Sequence, residues 1–409
     1  MSGACFKCRT SIEMHHDAVV PFAQGTAKIL RLAEVRNLDA WKCAFQDKCK
    51  DHRYYELIEQ TLANNFEYRY VVLEDTSGQA RAIQPILFVR QSLIEGVHGP
   101  FRAIVDRVRK EFPRFLTMRV LMIGCAAGAG ELDAANSETE RWIAEALGQT
   151  LRHYARANRA SLVVLKDFLA KYREPLAILS EYSYARVPSM PMTRLALSFQ
   201  NFDEYLGKLG YISRKSLRRK FRKTESAAKI DMEVVDNIAP YVDAIYPLYL
   251  QVHERSPMKF EKLSREFFAG IAKEMPDRAR FFVWRIGDRI VAFSLCLIYG
   301  DTIYDECIGL DYGIALDLHL YFYTMRDVIR WAIDQRLRYY VSGPLNYDPK
   351  LHLGHELAPL DLYVLHTRSS LNPIFQFALK YLEPTRHDPI LKKFPNAEQL
   401  SGPRPDYHC

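Results

Sequence analysis

Short runs of alternating apolar and polar residues recur along the chain, and longer stretches of helical period separate them. Tyr68–Glu74 and Ala80–Val89 read as two strands joined at Asp75-Thr-Ser-Gly78, whose residues tolerate positive φ and suit a hairpin. Thr117–Ile123 is a third apolar run, and it ends in Gly124-Cys-Ala-Ala-Gly128-Ala-Gly130. An acidic amphipathic helix is predicted from about Ser137 to Ala157, with Ser137 as its N-cap and Glu140 completing a capping box. Ser161–Lys166 follows as a buried strand by its β-branched content.

The same order returns further on. Phe281–Ile286 and Ile290–Ile298 flank Gly287-Asp288-Arg289 as a second hairpin, and Tyr299–Leu310 adds a third strand. Ala315–Gln335 carries apolar residues at 318, 322, 325, 329, 332 and 333, the spacing of one helix face. Arg338–Ser342 supplies the next strand. One α/β plan is therefore used twice, in copies of about 150 to 200 residues that share no obvious residue identity.

Composition narrows the class. The chain has 409 residues, 48% hydrophobic and 26% charged, which excludes a disordered chain, a collagen-like repeat and a disulfide-stapled miniprotein. The charge, 56 − 49 = +7, permits anionic partners without demanding them. No apolar h-region opens the sequence and no run of 18 uncharged apolar residues occurs, so neither a secretory signal nor a transmembrane segment is expected. Eight cysteines are too sparse for a disulfide framework, which points to the cytoplasm. Cys5, Cys8, Cys43 and Cys49, with His15 and His16, invite a zinc reading. Only one C-x-x-C is present and Cys43 and Cys49 stand too far apart for a zinc knuckle, so no metal is expected.

Arg214–Lys223 holds seven basic residues in ten. Ser213 is suited to cap a helix there, Leu217 and Phe221 mark its apolar face, and Arg214, Arg218 and Arg222 align on another. Such a concentration of like charge is most readily accepted where an anion neutralises it, whether phosphate, the phospholipid of an anionic membrane surface or nucleic acid. A solvated charged face is the plainer alternative. No aromatic residues interleave to stack bases, which weakens sequence-specific nucleic-acid recognition.

Three stretches taken in order resemble the FemAB-like branch of the GNAT acyltransferase superfamily. They are Phe202-Asp-Glu-Tyr-Leu-Gly-Lys-Leu with the basic run after it, Gly287-Asp-Arg-Ile-Val-Ala-Phe-Ser-Leu with Gly300-Asp-Thr-Ile-Tyr-Asp-Glu-Cys-Ile-Gly-Leu-Asp, and Gly343-x-x-x-Tyr347-x-x-Lys350-x-x-x-Gly354 with Pro359 beyond. The likeness runs through roughly residues 30 to 370. It implies an α/β fold of two tandem GNAT-like domains, each a mixed, mostly antiparallel sheet flanked by helices. The divisions expected are a tail at 1–25, a first domain at 26–205, a basic helical connector at 206–230, a second domain at 231–375 and a tail at 376–409.

The resemblance also implies transfer of an acyl group to an amine, from acyl-CoA in some members and aminoacyl-tRNA in others. Of the superfamily's donor signature, Gln/Arg-x-x-Gly-x-Gly/Ala, the first half keeps Gly128 and Gly130 behind Cys125, and the second half has Tyr312-Gly313-Ile-Ala-Leu-Asp instead. A glycine-lined loop that opens a helix suits a pyrophosphate, so Gly128 and Gly130 are the candidate cofactor-binding residues; an ordinary strand-to-helix turn is the alternative, and Glu131 and Asp133 would repel an anion. Acyl transfer needs a base for the ammonium proton and an acid for the leaving group. Asp305, Glu306 or His319 are candidate bases, and Tyr321 or Tyr347 candidate acids; Asp305, His319 and Tyr347 are the expected catalytic set. Asp305 and Glu306 cannot both face one cleft, because neighbouring strand residues alternate. His319, beside Leu318 and Leu320, has a structural alternative as a hydrogen-bonded core histidine. By resemblance Lys350 holds a phosphate or carboxylate, joined by Tyr321, Arg214 and Arg218 in substrate binding; a lysine exposed in a turn is the alternative. Cys296 and Cys307 lie in strands read as buried, with no histidine adjacent, so direct attack without an acyl-enzyme is expected. A rival of another class is a non-catalytic module that binds an anionic surface.

Overall fold

The computed structural model describes residues 18–63, 66–92, 107–108 and 117–402. The first half contributes β1 (Ala18–Phe22), β2 (Gly25–Leu30), β3 (Glu67–Asp75), β4 (Ala80–Ser92), β5 (Thr117–Ile123), β6 (Leu162–Leu169) and β7 (Ala185–Ala196). The second contributes β8 (Asp231–Val235), β9 (Ala279–Ile286), β10 (Arg289–Tyr299), β11 (Thr302–Leu310), β12 (Tyr339–Ser342) and β13 (Glu356–His366). All thirteen join one sheet, in the order β1-β2-β3-β4-β5-β6-β13-β7-β12-β11-β10-β9-β8.

Each half repeats one plan. Antiparallel β2-β3-β4-β5 is followed by β6 parallel to β5, with the Ser137–Ala157 helix as crossover. Antiparallel β8-β9-β10-β11 is followed by β12 parallel to β11, with the Leu320–Asp334 helix as crossover. Parallel neighbours need such a crossover, which is why the helical period falls where it does in both copies. β10 is buried along most of its length because helices cover both faces of the sheet, and its sequence is accordingly near-continuously apolar rather than alternating.

The last strand of each half crosses over. β13 inserts between β6 and β7, and β7 pairs with β12. The boundary expected near 205 therefore divides the chain but not the sheet. The stretches expected as tails are also partly built in. β1 begins at Ala18, inside the first of them. In the second, the buried Arg173 guanidinium donates to the carbonyls of Gln399, Leu400 and Gly402 while it pairs with Asp361, which ties residues 399–402 to β13.

Local differences have local causes. The N-cap of the first crossover helix is Asn136, whose side chain accepts from Thr139 N, so Ser137 lies inside the helix. The basic helix runs Tyr211–Ala227 from Gly210 with no side-chain cap, in place of Ser213. The second crossover helix starts at Leu320 rather than 315, because His319 takes a left-handed conformation (φ 47°).

Candidate functional site

The sheet opens in the second half. β11 and β12 pair from Thr302↔Tyr339 to Asp305↔Ser342; β12 then ends while β11 continues to Leu310. The equivalent place in the first half, past Ile123↔Leu165, is closed. There Gly130 bridges to Phe168 and gives its amide to the Asp167 carbonyl at 2.9 Å. A Cβ on Gly130 would fall 2.6 Å from the Phe168 ring, and one on Gly128 would fall 2.2 Å from Lys50 Nζ. These two glycines let the loop close over β6 and let a lysine pack on it. The Gly130 amide is engaged, so it is not itself available to the pyrophosphate for which this loop is expected.

A bulge marks the mouth of the open gap. Cys296 faces Asp305 and Leu295 faces Cys307, which leaves Glu306 as the extra residue. The two carboxylates go to opposite sides. Asp305 accepts from the hydroxyls of Ser294 and Tyr340, each at 2.5 Å. Burial pushes its carboxyl up, against the pull of these hydroxyls and of Lys350. Glu306 turns toward the first half and meets Lys50 Nζ at 2.7 Å. Burial works against the Lys50 charge, and Glu306 together with the neighbouring Cys125 and Cys49 outweighs it, so the ammonium is held up to about 12.

Lys350 is buried, and its ammonium donates to the carbonyls of Gly343 (2.5 Å) and Leu345 (2.9 Å), at the end of β12. Burial pushes it down to about 8, partly offset by Asp305. His355, buried beside it, exchanges a hydrogen bond with Thr193 at 3.1 Å and stands edge-on to the Tyr340 ring; burial drives its imidazole down to about 3. Burial, and then the charge of Asp305, raise the Tyr321 phenol, and a hydrogen bond with Asn346 opposes them. Asp305, Tyr321 and Lys350 are thus brought together.

The Tyr347 ring lies 5.8 Å from the Lys350 ammonium, but its hydroxyl is not part of that group. Its hydroxyl donates to the Pro191 carbonyl at 2.8 Å and its ring packs on Phe394, in a separate core with Met190 and Leu357. The phenol that meets Asp305 belongs to Tyr340, inside a strand the sequence marks only as apolar. His319 stands at the start of the second crossover helix, where burial and the charges of Lys223, Lys220 and Arg219 lower its pKa. The basic helix packs against that same turn, through Thr224 Oγ1 on the Leu318 carbonyl (2.6 Å) and Lys220 over the Phe322 ring (4.5 Å). Arg214 has a structural duty: it donates to the carbonyls of Gly207 and Leu209 and closes the preceding helix, Phe202–Lys208. Arg218 is exposed.

Burial raises the thiols of Cys307, Cys296 and Cys49, and takes Cys125 up to about 11. None is a ready thiolate. Among the described residues no group of His, Cys, Asp and Glu is arranged to hold a metal, and Cys5, Cys8, His15 and His16 lie outside them. No described helix is long and apolar enough to cross a membrane.

Residues 213–351 match the family model for the acetyltransferase (GNAT) domain. That stretch is similar to the GNAT acetyltransferase domain, and the first half of the chain repeats its strand order. Two curated proteins from strains of Mycobacterium tuberculosis, each named "Putative 8-amino-7-oxononanoate synthase 2", are 24% identical over 321 residues, which is 76% of this chain and 41% of theirs. The chain therefore spans less than half the length of these relatives. Among solved structures, FemX is similar at 11% identity and a TM-score of 0.49, over 86% of this chain and 99% of its own. L-PGS from Bacillus licheniformis is similar at 10% identity and a TM-score of 0.46, over 82% and 97%.

Proposed function

We propose that the chain is an N-acyltransferase that moves an acyl group from an acyl thioester, on coenzyme A or a carrier, to an amino group of a small or lipid-linked acceptor. The observation that carries this reading is the gap in the sheet past Asp305 and Ser342, with a cationic helix on one side and Glu306 on the other. Phosphates of a thioester donor fit beside His319, where Lys220, Lys223 and Arg219 gather. The first-half loop is the poorer place for them, since the Gly130 amide is taken.

The residues divide the chemistry as follows. The amine nitrogen attacks the thioester carbonyl, the C–S bond breaks, and the proton lost by the amine must be accepted while the departing sulfur gains one. Glu306, which stands on this side of the sheet in an ion pair with Lys50, accepts the first. Tyr321 supplies the second. Asp305, with both oxygens already bonded, is a positioning residue that fixes the bulge through Ser294 and Tyr340. This moves the base from Asp305 to its neighbour and the acid from Tyr347 to Tyr321.

Aminoacyl-tRNA is a second donor that one observation favours: Arg218, Arg219, Arg222 and Lys223 are exposed and pair with no carboxylate among the described residues. Incubating the protein with a panel of labelled acyl-CoA species, and separately with charged tRNA, distinguishes the readings. N-acylated product with one free thiol per turnover supports the proposal. Product from charged tRNA alone supports the second donor. Binding to anionic vesicles with neither product would leave a non-catalytic module.

A further inference from the structure

A crevice between the two halves holds an unmatched carboxylate. Its floor is the glycine loop, where Lys50 Nζ lies 3.3 Å from the Ala127 carbonyl and Lys166 Nζ 3.5 Å from that of Gly128. Each lysine has its own counter-ion: Glu306 for Lys50 at 2.7 Å and Asp167 for Lys166 at 2.5 Å. These four side chains keep between 11% and 21% of their surface exposed, so solvent and solutes reach them. The rim is the segment joining the Val242–Arg255 and Arg265–Glu274 helices. Phe260 anchors it, with Lys166 5.0 Å from its ring centroid and the Phe66 ring tilted against it at 5.3 Å.

Glu261 follows Phe260 and feels the charges of Lys166, Asp167 and Lys50, yet it forms no ion pair with a cation among the described residues, and burial pushes its carboxyl up. Two lysines against three carboxyl groups leave one without a counter-ion. Tyr68 adds a separate observation. It is 92% buried by its 8% exposure, its hydroxyl has no hydrogen-bond partner among the described residues, and the groups around it include Cys125 and Glu261. A buried hydroxyl without a partner is costly. The other walls are aromatic: Phe66, Phe260, and Tyr54, which donates to the Ala127 carbonyl at 2.9 Å.

We propose that this crevice receives the acyl acceptor as a primary ammonium on an apolar or aromatic stem, with Glu261 taking its charge and the Tyr68 hydroxyl accepting one of its hydrogen bonds. This rests on the transferase reading, and it specifies the acceptor: a cationic amine with a hydrophobic stem, entering on the Glu306 side of the sheet, opposite the cationic helix that meets the donor.

The test is calorimetric titration of the full chain with n-hexylamine at neutral pH, with n-hexanol as the neutral control. Saturable binding of the amine, absent for the alcohol, is expected. Glu261→Gln should weaken it at least tenfold and Tyr68→Phe several-fold, with unchanged circular dichroism. Equal binding by Glu261→Gln and wild type, or equal binding of amine and alcohol, overturns the proposal. Acyl-CoA binding by the wild-type protein, measured in parallel, bears on the transferase reading alone. Amine binding that depends on Glu261 without any donor binding would keep the crevice and discard the transferase.

Discussion

Lys50 and Glu306 lie 256 positions apart and meet at 2.7 Å, joining the glycine loop of the first half to the bulge of the second. Removing one partner leaves the other charge without its counter-ion, which costs less than the about 3–5 kcal/mol of a fully buried pair because both side chains keep some exposure. Lys50→Met and Glu306→Gln should each lower the urea midpoint, and the double variant should lose less than the sum. The cycle should give a coupling of about 1 kcal/mol or more. Additive losses would mean that the pair does not couple the halves.

Tyr340 and Tyr347 should separate cleanly. Tyr347→Phe deletes a bond to the Pro191 carbonyl and is expected to cost about 1 kcal/mol of stability with turnover retained. Tyr340→Phe releases one oxygen of Asp305, and turnover should fall about tenfold with a displaced pH profile. Steady-state kinetics across pH would check both. Loss of turnover in Tyr347→Phe with Tyr340→Phe unaffected would reverse the assignment.

The basic helix holds two kinds of arginine. Arg218→Gln, Arg222→Gln and Lys223→Gln combined should leave the melting temperature unchanged, since all three are exposed. Donor affinity should fall about tenfold at low salt, at roughly 0.5 kcal/mol per surface charge, and its salt dependence should flatten. Arg214→Gln should instead destabilise the fold by about 1 kcal/mol, because it bonds the end of the preceding helix. Thermal melts and donor titrations at two salt concentrations resolve the two effects.

His355 confers acid sensitivity. Its folded pKa is about 3 against an ordinary 6.5, so between those values the unfolded chain binds the extra proton. Stability is full above about pH 6.5 and is lost as pH falls toward 3. Wild type should therefore lose more stability than His355→Leu between pH 6.5 and 4, measured by urea unfolding. Parallel curves would show that the imidazole stays solvated.

Strand and helix positions were largely legible, because a sheet covered on both faces demands long apolar runs and parallel pairs demand crossover helices. Thr117–Ile123 and Ser137–Ala157 have the bounds that pattern suggests. The exchange of β7 and β13 was not legible, since either strand satisfies the same local pattern whichever half it joins. Of the expected site residues, Asp305, Tyr321 and Lys350 lie together, whereas the Tyr347 hydroxyl points into another core and Gly130 serves packing. Lys50, Lys166, Glu261 and Tyr68 carry no local signature, for their chemistry depends on partners far away in sequence. The bulge that turns Glu306 from Asp305 shows in no residue type.

Hydrogen–deuterium exchange with and without the donor that turns over tests the central claim most directly. Protection should appear in residues 211–227 and 302–325, on the basic helix and around the open gap, with residues 117–130 unchanged. Protection confined to residues 117–130 would contradict the account and move the donor to the first half.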